Sequence, residues 1–137
     1  MKYLFIVWSD SYKTGISILD EQFRGLTSLI NSFFFHKADA TGDIERVLVP
    51  TMEMFKSYVK INFVTIEKMM DTSAYPETKK YKEVHQEILD NIIAFDKKCR
   101  EERDADKILK YLKDYWLETI RQNSAQYVPY LLDYFGG

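Results

Sequence analysis

The sequence has few of the residues that build loop-rich or disulfide-linked proteins. Its 137 residues include 5 glycines and 3 prolines, too few for the closely spaced turns of a β-sandwich or barrel. A single cysteine, Cys99, excludes an internal disulfide and a CxxC zinc or redox motif. Neither charge dominates, since 19 Lys and Arg residues stand against 21 Asp and Glu residues, a formal net charge of −2. Nucleic acid is therefore not expected as a partner, because nucleic-acid binders carry a basic surface.

Long apolar runs are also missing. No stretch approaches the roughly 18 consecutive apolar residues of a transmembrane helix. The apolar run 3–8 is shorter than the hydrophobic region of a secretory signal. We therefore expect no membrane association and a cytoplasmic location. A chain of this length is expected to form one domain, residues 1–137, with Cys99 as a small core residue.

What the sequence does contain is a helical spacing of apolar residues. Steps of three and four residues predict helices at about 19–38, 43–71, 77–102 and 105–123. An extended N-terminal arm, about 1–18, precedes them, and a C-terminal tail, 124–137, follows. Asp20 is expected to cap the first helix, and Pro50 to bend the second. The short loops predict an all-α fold, an antiparallel up-down-up-down four-helix bundle.

Four polar side chains interrupt the apolar lines of these helices: Asn62, Tyr81, His85 and Thr119. We expect them to face one another near the centre of the bundle and to form hydrogen bonds among themselves. Bundle interiors are also where four-helix proteins hold metals and cofactors. A metal site needs three or four converging ligands, however, and His85 has no His or carboxylate partner one turn away.

Several segments together form a known pattern. These segments are Trp8–Gln22, Tyr58, Asn62–Met70, Tyr75-Pro76, His85 and Tyr115–Tyr127. They resemble, in order and spacing, the hemerythrins and especially the bacteriohemerythrins, with their HFxxEExxM, YP, HxxxH and WLxxHIxxxDxxY motifs. The resemblance extends over about residues 4–133. It implies a four-helix bundle, which in that family holds two oxygen-bridged irons and binds dioxygen reversibly.

The resemblance also assigns positions to the family's iron ligands, which are five histidines, one glutamate and one aspartate. In this chain those positions are Phe23, Asn62, Ile66, Tyr81, His85, Thr119 and Ser124. His85 alone keeps the expected residue type. Because both bridging carboxylates are replaced, we expect no diiron centre, and no spacing calls for another cofactor. Glu67, beside Ile66, is expected to point away from the centre.

Three functions remain open from the sequence. The first is a metal-free structural, regulatory or partner-binding module, including a homo-oligomer formed through the aromatic C-terminal residues. The second is the binding or sensing of an unidentified small ligand or cofactor among the seven positions. The third is a rebuilt metal or oxygen site around His85, Tyr81 and a nearby carboxylate. An enzyme is not expected, because no nucleophile, base and orienting group occur at a recognisable spacing.

Overall fold

The computed structural model describes residues 4–39, 42, 44–123, 125 and 127–136. Four long helices follow one another: α1 (Ser17–Ala38), α2 (Ile44–Ser73), α3 (Thr78–Glu102) and α4 (Ala105–Asn123). A short helix, α5 (Tyr127–Phe135), comes last, and the described residues contain no strand. The predicted all-α class and four-helix bundle are confirmed. Residue 43, the predicted start of the second helix, and Ser124 lie outside the described residues.

The core lies between the helices, with α2 as the most central element. α2 packs against α1, α3 and α5, and α1 packs against α4. Burying one large apolar side chain contributes about 1.5–3 kcal/mol, so the periodic apolar faces hold the bundle together. The largest fully buried side chains include Phe33, Phe55, Leu26, Met52, Ile92 and Leu112. No helix in the described part of the chain is both long enough and apolar enough to span a membrane.

The N-terminal arm is fixed along α1 by side chains of that helix. Asn31 Oδ1 accepts hydrogen bonds from the amides of Phe5 and Ile6 at 2.9 and 2.8 Å. Asn31 Nδ2 donates to the Ile6 carbonyl oxygen at 2.8 Å. Asp20, expected as the helix cap, instead lies inside the first turns of α1, because the helix begins earlier, at Ser17. Its carboxylate accepts from the amide and hydroxyl of Thr14 at 2.7 and 2.8 Å.

The C-terminal segment was predicted to be a tail, but most of it forms α5. Its buried residues Tyr127, Val128 and Leu131 pack against a cluster that includes Ile66 and Met70 of α2. The hydroxyl of Tyr130 donates to the Ser73 carbonyl oxygen, the last of α2, at 2.7 Å. α5 therefore covers the end of the bundle at which α2 terminates.

Candidate functional site

A cavity lies at the centre of the bundle, bounded by all four long helices and by α5. It offers about 60 Å3 to the centres of water-sized molecules. One water needs about 10–15 Å3 on this measure, so the space holds a few waters or one small molecule. Six of the seven positions singled out in the sequence line it: Phe23, Asn62, Ile66, Tyr81, His85 and Thr119. The seventh, Ser124, lies outside the described residues.

His85 is the buried histidine of this site, with 5% of its surface exposed. Its Nδ1 lies 2.8 Å from Glu67 Oε2, and its ring stacks flat on Phe63 with the centroids 3.9 Å apart. Glu67 is not among the residues that line the cavity, but its side chain reaches from α2 to α3 and bonds to His85, a contact that the sequence did not predict. Burial lowers the pKa of His85, and the hydrogen bond and charge of Glu67 oppose this only in part. His85 is therefore neutral near pH 7, with Nδ1–H donating to the carboxylate.

The other polar residues do not form the expected cluster with His85. Asn62 Nδ2 donates instead to Gln22 Oε1 on α1, at 2.8 Å. Thr119 Oγ1 donates to the Tyr115 carbonyl oxygen at 3.1 Å, the bond that a threonine inside a helix commonly forms one turn back. Neighbours on their own or the adjacent helix thus satisfy both groups, and the prediction of a mutual hydrogen-bonded network was wrong.

Four tyrosines line the cavity: Tyr58, Tyr81, Tyr115 and Tyr127. The hydroxyl of Tyr58 is buried and has no hydrogen-bond partner among the described residues. Burial raises the pKa of Tyr58, Tyr115 and Tyr127 above the ordinary value, so these phenols stay neutral. The sequence held a signal for two of them, since Tyr58 and Tyr115 lie one helical turn before Asn62 and Thr119.

Aromatic side chains fix Phe23 in the wall of the cavity. Its ring stacks on Trp116 with the centroids 5.4 Å apart, and the edge of Trp8 from the arm contacts it at 5.6 Å. The indole Nε1 of Trp116 donates to Thr27 Oγ1 at 2.8 Å, which orients the ring. This wall of the site is therefore apolar and firmly packed.

Ionisable groups suited to metal binding do not converge here. In the part of the chain that the structure describes, no group of three or more His, Cys, Asp or Glu side chains is arranged to hold a metal ion. Glu118, the carboxylate that lines the cavity, has a side chain 43% exposed and accepts hydrogen bonds from Arg121 at 2.5 and 3.0 Å.

Comparison with known proteins finds relatives that align with most of the chain, although no family model matches it. The chain is similar to a bacteriohemerythrin of Pseudomonas aeruginosa (strain UCBPP-PA14), with 26% identity over 125 residues, which are 90% of this chain and 79% of the relative. It is also similar to a bacteriohemerythrin of Stenotrophomonas maltophilia (strain R551-3), with 23% identity over 113 residues, covering 82% and 71% of the two chains. Similarity to bacteriohemerythrins over this length supports a hemerythrin-like family for this chain.

Proposed function

We propose that this chain is a metal-free hemerythrin-like bundle, which acts as a structural, regulatory or partner-binding module and not as an enzyme. The observation that carries the proposal is the chemistry of the cavity walls. Two bridged irons need several nitrogen and carboxylate donors around one space. At the positions where the family has ligands, the walls present the apolar side chains of Phe23 and Ile66 and a single imidazole, His85. These residues do not fit a diiron centre.

The remaining polar groups add little to that donor set. Asn62 already donates its amide hydrogen to Gln22, and Glu118 is bonded to Arg121. The tyrosine hydroxyls ligate metals well only after losing a proton, which burial of Tyr58 opposes by raising its pKa. A buried imidazole without a metal needs one good acceptor, and Glu67 supplies it.

Exposed apolar side chains on α2 support the partner-binding part of the proposal. Met54, Ile61 and Val64 are 58%, 60% and 65% exposed. Their spacing places them on one face of the helix. Apolar residues grouped in this way on a surface commonly mark an interaction site.

Binding of a small ligand is the second candidate function, and the cavity itself favours it. A pocket with mostly apolar walls and a few convergent polar groups is the usual form of a ligand site. The unpartnered hydroxyl of Tyr58 is the group that a bound molecule would satisfy.

Metal content tests the main proposal. The protein is purified from its own host without chelators, and its iron is measured together with its near-ultraviolet and visible spectrum. We expect far less than one iron per chain and no absorption from an oxo-bridged pair. A His85→Ala variant serves as the control, because any metal that it retains is bound elsewhere. If the wild-type protein holds two irons per chain and the variant holds none, the proposal is contradicted. If the wild-type protein holds one metal ion per chain that the variant lacks, this indicates the rebuilt site around His85 instead.

A further inference from the structure

If the central cavity binds a small ligand, as the second candidate function states, the charges of its walls decide which ligand it accepts. None of the described residues that line the cavity is Lys or Arg. His85 is held neutral by burial and is already bonded to Glu67. An anion would therefore lose its hydration without meeting a positive charge, and such a transfer is strongly unfavourable.

A cationic ligand is not favoured by these walls either. The carboxylate of Glu118 is the negative group at the cavity, and it already accepts hydrogen bonds from Arg121 and Gln122. With 43% of its side chain exposed, Glu118 lies at the edge of the site, where water weakens its attraction for a charge inside. The buried part of the wall is formed by uncharged side chains, most of them aromatic or aliphatic, together with the amide of Asn62.

The buried wall does offer hydrogen bonds to a neutral molecule. The hydroxyl of Tyr58 has no partner among the described residues, and a phenol O–H can both donate and accept. Tyr115 and Tyr127 bring two further phenols to the same cavity. The available volume of about 60 Å3 suits a few waters or one small molecule.

We propose that the cavity is a site for a neutral molecule of this size, such as a short-chain amide or alcohol, whose polar end bonds to the hydroxyl of Tyr58. Its alkyl part contacts the apolar wall formed by Phe23 and Ile66. The site discriminates against carboxylates of the same shape because no Lys or Arg is among its described lining residues, and against amidinium cations because Glu118 is exposed and already bonded to Arg121.

Three probes with the same alkyl chain and a planar head group of the same size test this directly: propionamide, propionate and propionamidinium. Each is titrated into the protein at pH 7, and binding is followed by amide chemical shifts in two-dimensional NMR. We expect propionamide to shift the resonances of residues that line the cavity. The two ions should bind at least about tenfold more weakly, a difference of about 1.4 kcal/mol.

The variant Tyr58→Phe removes the hydroxyl and keeps the ring. Since this hydroxyl has no hydrogen-bond partner among the described residues, the variant should fold normally, and its melting temperature checks this. We expect its affinity for propionamide to fall by about tenfold. Tyr111→Phe is the matched control, because the hydroxyl of Tyr111 bonds to Asn91 outside the cavity. It should bind propionamide like the wild-type protein.

The outcomes separate this inference from the proposals on which it rests. Equal affinity for propionamide and propionate overturns the neutral-ligand assignment while ligand binding in the cavity stands. Full retention of affinity in Tyr58→Phe overturns the role given to that hydroxyl. If no probe shifts the cavity resonances, the ligand site is wrong altogether. The metal-free bundle depends on the iron measurement and is unaffected by any of these results.

Discussion

At the scale of single residues, His85 sets the acid response of the cavity. Its pKa in the folded protein is lowered by burial, against the partial opposition of Glu67. Below about pH 6.5 the unfolded chain therefore binds a proton on this histidine more readily than the folded chain does. The contribution of His85 to stability is complete above that pH and is lost as the pH falls.

The first prediction follows from this loss of stability at low pH. His85→Gln should retain the fold, because its amide can still donate to Glu67, and should remove the part of the acid dependence that His85 causes. Urea unfolding between pH 7.5 and 5 measures the free energy of unfolding for both proteins. The curve of the variant should be flatter. The control is His36→Gln, which should leave the contribution of His85 to the acid dependence in place. Identical curves of unfolding free energy against pH for wild type and His85→Gln would contradict the prediction.

The second prediction concerns the two apolar residues, Phe23 and Ile66, that form part of the cavity wall. Phe23 and Ile66 are 2% and 6% exposed. Phe23→Ala should lower the free energy of unfolding by about 3–5 kcal/mol and Ile66→Ala by about 2–5 kcal/mol. Ile61→Ala, on the same helix as Ile66 but 60% exposed, should change it by no more than about 0.5 kcal/mol. Chemical denaturation provides the values, and a cost near zero at either buried position would mean that its side chain faces open space.

At the scale of elements, attachment of the N-terminal arm depends on one side chain of α1. Asn31 makes three hydrogen bonds to the backbone of Phe5 and Ile6. Asn31→Ala leaves these groups without partners and should cost about 1–3 kcal/mol. The amides of Phe5 and Ile6 should then exchange their hydrogens faster, as measured by NMR. Asn91→Ala is the control, because it removes an exposed amide instead. Unchanged hydrogen exchange at Phe5 and Ile6 in Asn31→Ala would show that the arm is held by other contacts.

The contact between α2 and α3 includes ion pairs of one buried carboxylate, Asp96, which yield the next prediction. Asp96 is 5% exposed, and its carboxylate lies 2.8 Å from Lys56 Nζ and 3.2 Å from Arg100 Nε. Burial by itself would raise the pKa of Asp96, but the two cations outweigh it and lower the pKa. The stability that Asp96 contributes is therefore present above about pH 4 and is lost as the pH falls further.

Asp96→Ala should destabilise the protein by about 1.5–3 kcal/mol, because it removes the buried partner of Lys56, which then keeps only its ion pair with Glu53. The matched control is Asp71→Ala, which breaks an exposed pair with Lys82 and should cost less than about 1 kcal/mol. Urea unfolding at pH 7 and pH 3 compares the variants. The difference between wild type and Asp96→Ala should shrink at the lower pH, and a constant difference would contradict the assigned pKa direction.

At the scale of the whole molecule, stability should be independent of iron. A ligand present at about 100 times its dissociation constant stabilises a native protein by about 2.7 kcal/mol. Such a gain raises the melting temperature of a domain of this size by several degrees. We expect no such rise when ferrous iron is added anaerobically, with magnesium at the same concentration as the control. A rise that is specific to iron would contradict the metal-free proposal.

Much of the bundle could be predicted from the sequence, because helical spacing is local. Steps of three and four residues determine which side chains share a face, so Asn62 and His85 were correctly expected inside the bundle. The order of the motifs led to the hemerythrin resemblance, which the curated relatives support. The cysteine was also correctly expected to be buried, since Cys99 continues the apolar line of α3.

The tertiary structure decided which side chains meet across helices. The bond between Glu67 and His85 depends on the rotation of α2 relative to α3, and no spacing within one helix contains that information. Likewise α5, with 9 residues, is too short to be stable alone and is helical because it packs on the end of the bundle. The sequence by itself determined the four long helices and their inward faces. The assembled bundle determined the partner of His85, the phenols around the cavity and the packing of α5 on the end of the bundle. These contacts join residues far apart in the chain.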